Sequence, residues 1–177
     1  AEKANHCAHC YVTFARRGRY RHRYNHADGN ICIDCHNRHG ERIDAQRLLA
    51  AGFVVLDTET TGLDNAAQIV SIGIIDHTGQ VLLNTLVRPT VSIPDEVISI
   101  HGITDEMVSN APTMADIYEQ VQALLSGKTV VIYNADFDAR LLNQSLKAHG
   151  LPGYLLKLEN TYCAMESCKT YLNRERW

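Results

Sequence analysis

The sequence predicts an α/β fold: a mixed β-sheet flanked by helices, preceded by a small cysteine-rich module. Three observations lead there. The aliphatic run from Phe53 rises to an acid and is followed by two more strand-like patterns. From residue 113 onward, helical and strand periods alternate. The first 50 residues differ from everything after them, being rich in Cys, His, Arg and Tyr and poor in aliphatics.

In that first segment, Cys7 and Cys10 form one C-x2-C pair, and Cys32 and Cys35 form a second, with 21 residues between the pairs. Without a secretory signal, such pairs read as the four thiolate ligands of a structural Zn²⁺ rather than as disulfides. A segment of ~45 residues with no core of its own needs a staple of this kind. Between the pairs, Arg16, Arg17, Arg19, Arg21 and Arg23 alternate with Tyr20 and Tyr24. Arg19 and Arg21 are expected to lie on phosphates, and the tyrosines on bases. Asp28-Gly29 turns the chain, and residues 36–51 read as a helix ended by Gly52.

The second segment, residues 51–177, opens with the strand "FVVLDTET", Phe53–Thr60. "QIVSIGIIDHTGQVLLNTLVRP" reads as two strands meeting at His77-Thr78-Gly79. "IPDEVISIHGIT" gives a short helix and a loop. Thr113 caps a helix whose apolar residues Ile117, Val121, Leu124 and Leu125 share a face, and Gly127 stops it. "TVVIYN" is a short buried strand, and "ADFDARLLNQSLKAHG" a helix ending at Gly150. "NTYCAM" supplies a last strand with a helix behind it. A hairpin-linked set of strands followed by alternating helix and strand makes a mixed sheet.

The chemistry concentrates at two acidic clusters. Asp57 and Glu59, at positions i and i+2 of a strand, project from one face. Two carboxylates this close repel unless a cation lies between them, and hard oxygen donors suit Mg²⁺ or Mn²⁺. Asp136 and Asp138 open the helix after "VVIY". Asp136 is expected to complement the helix dipole. Asp138 precedes the inward-facing "ARLL" and is expected to reach over the strand ends beside Asp57.

"LDTETTGL", "IHGITDEMV" and "NADFDARLL", in this order, resemble the 3'-5' exonucleases of the DEDD superfamily, and within it the DnaQ-like DEDDh branch. The resemblance covers roughly residues 52–170. It implies a ribonuclease H-like fold and a two-metal site in which Asp57, Glu59 and Asp138 hold Mg²⁺ or Mn²⁺ at the scissile phosphate. It also implies that Thr60, Thr61 and Leu63 hold the terminal nucleotide, that His101 lies against it, and that Asn134 belongs to the substrate-binding set. The family's final motif, H-x-x-x-x-D, supplies a general base and a fourth carboxylate. This chain lacks it: Asp138 is the last aspartate and His149 the last histidine. Tyr171 and Glu175 imitate the tyrosine branch, but an amphipathic helix explains them better. The expectation is a C-terminally truncated domain, with this exact chain weakly active or inactive.

The functional expectation is a metal-dependent 3'-5' exonuclease acting on nucleic-acid 3' ends, single-stranded DNA first and RNA second, with the zinc module aiding binding. The alternative is a non-catalytic nucleic-acid-binding protein that uses the zinc finger and a degenerate nuclease domain. A polymerase partner is left open. The net charge of −3 argues against a basic binder by composition alone. The charge is split, however. Residues 1–50 carry nine Lys/Arg against five Asp/Glu, and the remainder eight against fifteen, so the basic module and the acidic domain are suited to different ligands. No stretch is apolar enough to span a membrane and no signal peptide is visible, which predicts a cytoplasmic protein.

Overall fold

The computed structural model describes residues 24–26, 29–31, 33–156 and 160–172. Cys7, Cys10, Cys32, Arg19, Arg21 and Glu175 lie outside the described residues. The chain divides into two compact units, Ala51–Ala164 on the one hand and Ala1–Ala50 with Met165–Trp177 on the other.

In the latter unit, β1 (Tyr24–His26) pairs antiparallel with β2 (Gly29–Ile31), with Tyr24 opposite Ile31. Helix α1 (Ile33–Ala51) follows, with Cys35 buried in its first turn. Arg38 Nε donates to the carbonyl of Tyr171 at 3.1 Å, and Ser167 Oγ donates to Glu41.

The larger unit is a five-stranded mixed sheet flanked by helices. Strand β3 (Phe53–Thr60) occupies the centre of the order β5-β4-β3-β6-β7. It runs antiparallel to β4 (Ile69–Asp76) and parallel to β6 (Thr129–Ile132). β5 (Val81–Leu86) and β7 (Thr161–Cys163) form the edges. The alternation expected of a strand is clear in β3: Val54, Leu56, Thr58 and Thr60 are buried, while Asp57 and Glu59 are exposed.

Helix α4 (Met114–Leu125) starts at the expected cap, Thr113, which bonds reciprocally with Asp116 in a capping box. It buries Met114, Ile117, Val121 and Leu125. Helix α5 (Ala135–Ala148) buries Ala135, Asp138, Leu141, Leu142, Ser145 and Leu146, the three-and-four spacing of one helical face. These stripes close over Leu56, Ile69, Ile72, Ile74 and Ile132 in one core cluster. A smaller cluster of Val70, Ile93, Ile103 and Val108 seats α2 (Asp95–His101) and α3 (Asp105–Val108) beside β4. Helix α6 (Ala164–Leu172) follows β7. No described helix is long and apolar enough to cross a membrane.

Leu141 is fully buried in the main cluster. Truncating it to alanine is expected to cost about 2–5 kcal/mol of stability, read from the urea midpoint. Ile100→Ala, at a position 81% exposed, is expected to stay within about 0.5 kcal/mol. Equal losses at the two positions would contradict this assignment of the core.

Candidate active site

The site forms where the sheet runs out. Pairing between β3 and β6 ends at Val55 with Val131. Two residues further along β3 stands Asp57, and there β6 has given way to the turn into α5. The unpaired side of β3 lies at the carboxyl end of parallel strands, the usual ligand position in α/β sheets. On the other side, Asp57 pairs with Gly73 and Glu59 with Ser71. Opposed strand residues share a face, so Asp57 has a neighbour without a side chain and stands in open space.

Asp138 enters from the first turn of α5 and is only 5% exposed. Its Oδ1 accepts a hydrogen bond of 2.7 Å from Thr58 Oγ1, and its backbone N–H bonds to Asn134 O at 3.3 Å. Burial pushes its carboxyl above the ordinary carboxylate range; the Thr58 hydrogen bond opposes this shift, and the charge of nearby Asp57 adds to it. The structure thus brings Asp138 to Asp57, with Glu59 exposed on the same strand face as Asp57.

The donors on offer are hard oxygens carrying like charge, a set whose repulsion a divalent cation relieves. That chemistry fits Mg²⁺ or Mn²⁺. Among the described residues, no three His, Cys, Asp or Glu side chains stand together closely enough to hold a metal ion.

The other expected residues are accounted for as follows. Thr60 Oγ1 donates to Gly62 O at 2.9 Å. Thr61 is buried; its N–H donates to Gln68 O at 2.8 Å, and its Oγ1 accepts from Gln68 N at 3.0 Å. Gly62 has φ of +155°, a backbone conformation that L side chains rarely adopt. Leu63 is 77% exposed. Asn134 is the residue before α5 and makes no side-chain cap hydrogen bond.

His101 is held by backbone at both ring nitrogens. Ile103 N–H donates to Nδ1 at 3.0 Å, so Nε2 carries the proton and donates to Thr60 O at 3.2 Å. The loop histidine therefore ties α2 to the end of β3. The other histidines of this unit lie elsewhere. His77 lies tilted against Phe53 at the opposite end of β3, and His149 bonds to Ser145 O at the far end of α5.

Three residues at this site were not singled out in the sequence. Thr58 and Ser145 are polar residues at core-facing positions of a strand and a helix, and that mismatch with the apolar period is the signal that marks them. Ser145 Oγ accepts from Ile69 N at 2.8 Å and donates to Leu141 O at 2.9 Å. Gln68 is buried and bonded twice to Thr90, at 2.6 and 2.9 Å, a pairing of distant residues that no local pattern announces.

The structure is thus a mixed-sheet α/β domain with acidic side chains at the end of its central strand. The model of the family described as Exonuclease, RNase T, matches residues 54–174, and the chain belongs to that family. It is 49% identical over 125 residues to the uncharacterized exonuclease CP81 of Escherichia phage 186, covering 68% of this chain and 64% of that one. It is 32% identical over 129 residues to a DNA polymerase III subunit epsilon of Treponema pallidum, covering 71% of this chain and 60% of that one. The chain thus spans less than two thirds of the length of each of these relatives. Among solved structures, exonuclease I with bound product superposes with a TM-score of 0.59 at 15% identity, over 67% of this chain and 31% of that one. Exonuclease I from Methylocaldum szegediense gives 0.57 at 20% identity, over 66% and 28%. At these identities the likeness is one of fold, and it is the ribonuclease H-like fold.

The raised proton affinity of Asp138 has a consequence for stability. The folded state holds this proton more tightly than the unfolded chain does, so a penalty on folding builds as the pH rises above the unfolded-state value and is complete above the folded-state value. The penalty vanishes below the ordinary carboxylate value of about 3.9. Asp138→Asn keeps an acceptor for Thr58 and carries no charge. In EDTA at pH 7 the variant is expected to melt a few degrees above the parent chain, with the gap closing as the pH is lowered toward 4. A gap that is absent at pH 7, or that widens in acid, would refute the assignment.

Proposed function

We propose that the domain is a metal-dependent 3'-5' exonuclease, hydrolysing phosphodiester bonds at the 3' ends of single-stranded DNA, with RNA as the second candidate substrate. The observation that carries the reading is the position of Asp138 at the end of β3: a buried carboxylate hydrogen-bonded to Thr58, with the like charge of Asp57 near enough to raise its proton affinity. Such a site costs stability, and binding a cation relieves the cost. The relatives named as exonucleases and as DNA polymerase III epsilon subunits support nuclease chemistry and a DNA substrate.

In this reading Asp57, Glu59 and Asp138 hold two Mg²⁺ or Mn²⁺ ions. When bound, the ions neutralise phosphate charge and lower the pKa of a water. The protein's own contribution is placement. Thr58 fixes the Asp138 carboxylate. The Thr60–Thr61–Gly62 turn presents backbone groups to the terminal nucleotide, Leu63 offers it an apolar contact, and His101 and Asn134 border it. The four cysteines Cys7, Cys10, Cys32 and Cys35 would bind Zn²⁺, and Arg19 and Arg21 the substrate phosphates. The division into a zinc module over residues 1–50 and a nuclease domain from residue 51 belongs to the same proposal.

No histidine of residues 51–164 is placed as a general base, because His101 is occupied by backbone and His77 and His149 are remote. Lack of a base costs about 10²–10⁴-fold in rate, so this chain is expected to turn over slowly.

The test uses a 5'-labelled single-stranded DNA with Mn²⁺. Slow, stepwise shortening from the 3' end is expected, abolished by EDTA and reduced at least about a hundredfold by Asp57→Asn. Shortening from the 5' end, internal cleavage, or an Asp57→Asn variant as active as the parent would each overturn the proposal.

A further inference from the structure

We propose that Arg140 and Gln144 are positioning residues that set Leu63 against the 3'-terminal nucleotide, by clamping the loop that carries it to the helix that carries Asp138. The inference rests on the exonuclease reading above and adds to it the device that fixes the distance between carboxylate and nucleotide contact.

The observations are specific. Arg140 and Gln144 stand one turn apart on α5 and face the β3–β4 loop. Arg140 Nη2 donates to Leu63 O and Nη1 to Asp64 O, both at 3.2 Å, and Nη1 also donates to Gln144 Oε1 at 3.0 Å. Gln144 Nε2 donates to Asp64 O at 3.1 Å and to Ala67 O at 2.8 Å. The guanidinium lies 5.5 Å from the centre of the Phe137 ring, which leaves its fork turned toward the carbonyls. Three carbonyls of one loop, two on exposed residues and one on buried Ala67, are thus gathered by two side chains of a single helix.

The Leu63 and Asp64 carbonyls are on exposed residues that water could serve as well, whereas Ala67 is buried and takes its bond from Gln144. Ordering an arginine for the exposed pair alone gains little. What the clamp adds is a fixed position for the residue between its contacts. Leu63 is 77% exposed and belongs to neither core cluster. A large apolar side chain on a loop fastened in this way is presented rather than merely tolerated. The clamp begins two residues after Asp138, so the loop and the carboxylate are fastened to the same helix. With its fork spent on carbonyls, Arg140 is not placed as a phosphate ligand.

Binding of a 5'-fluorescein single-stranded DNA by the whole chain, followed by anisotropy with Ca²⁺ in place of Mg²⁺, tests this. Leu63→Ala is expected to weaken binding roughly tenfold and Arg140→Ala or Gln144→Ala roughly three- to tenfold. The Leu63→Ala/Arg140→Ala double variant is expected to bind no more weakly than Leu63→Ala alone, because the clamp acts through Leu63. Arg140→Lys retains the charge but not the fork, and is expected to behave as Arg140→Ala. Arg88, whose guanidinium bonds to Ser109 O at 3.2 Å, is the control, and Arg88→Ala is expected to bind as the parent does.

Full additivity in the double variant, an Arg140→Lys that binds like the parent, or a Leu63→Ala without effect would each overturn the inference while leaving the exonuclease reading standing. A parent chain that binds no single strand under any divalent ion would instead overturn the exonuclease reading. Should Arg140→Ala fail to fold, Arg140→Lys and Gln144→Ala carry the same comparison with Leu63→Ala.

Discussion

The structure depends on one buried hydrogen bond, from Thr58 Oγ1 to Asp138 Oδ1 at 2.7 Å. It joins the central strand to a helix eighty residues later, and it does so with a carboxylate that is only 5% exposed. A carboxylate in that position is costly, because burial and the neighbouring Asp57 both disfavour its charge. The remainder of α5 makes the position tenable. Leu141, Leu142 and Leu146 are fully buried on the same helical face, and burying side chains of this size contributes about 1.5–3 kcal/mol each. Three such residues outweigh the penalty of one carboxylate. The helix is seated by its aliphatic stripe, and the acid is carried in with it.

The same logic explains why the acids are distributed over two elements. A strand places side chains on alternate faces, so β3 sends Asp57 and Glu59 to its open face and Thr58 to the core face. α5 packs on the core face and cannot reach the open one across a paired strand. It reaches the end of β3 through Thr58, on the face it packs against, beyond the last β3–β6 pair at Val55. The site is a product of a strand that ends early, and Gly73 keeps the other flank clear of side chains.

Much of this was legible in the sequence, and the reasons are physical. The alternation in "FVVLDTET" and the three-and-four spacings of α4 and α5 report burial directly, so the elements and the pairing of Asp57 with Asp138 follow from period and order. Thr113 caps α4 as read, and Asp116 completes a reciprocal capping box that was not singled out. The role of Thr58 was hidden because the eye is drawn to the acids on either side. Yet a threonine at a core position of an aliphatic strand is a request for a partner, and Asp138 is that partner. His101 stood out in the sequence as a candidate, but its bonding did not. Its two backbone contacts depend on the seat of α2 and α3 over Val70, Ile93, Ile103 and Val108, which is a matter of tertiary packing. The bonds from α5 to the carbonyls of Leu63, Asp64 and Ala67 link residues more than seventy positions apart through generic backbone groups, and no local sequence rule encodes such links.

The β3–β4 loop is fastened from two sides, and the two fastenings differ in kind. On one side His101 Nε2 donates to Thr60 O while its Nδ1 accepts from Ile103 N–H, so the ring is held at both edges. On the other side Ser145 takes the backbone N–H of Ile69 from within the core, beyond the reach of solvent. Gln68 braces the loop base further through its pair of bonds to Thr90. Isolated exposed leucines are ordinary on protein surfaces and mean nothing by themselves. Leu63 is distinguished by its setting: the backbone before it is tied to α2, the backbone after it to the core, and its own carbonyl to α5. A loop built only to connect two strands would need none of these ties. One that must hold an apolar contact at a set distance from Asp57 and Asp138 would need all three.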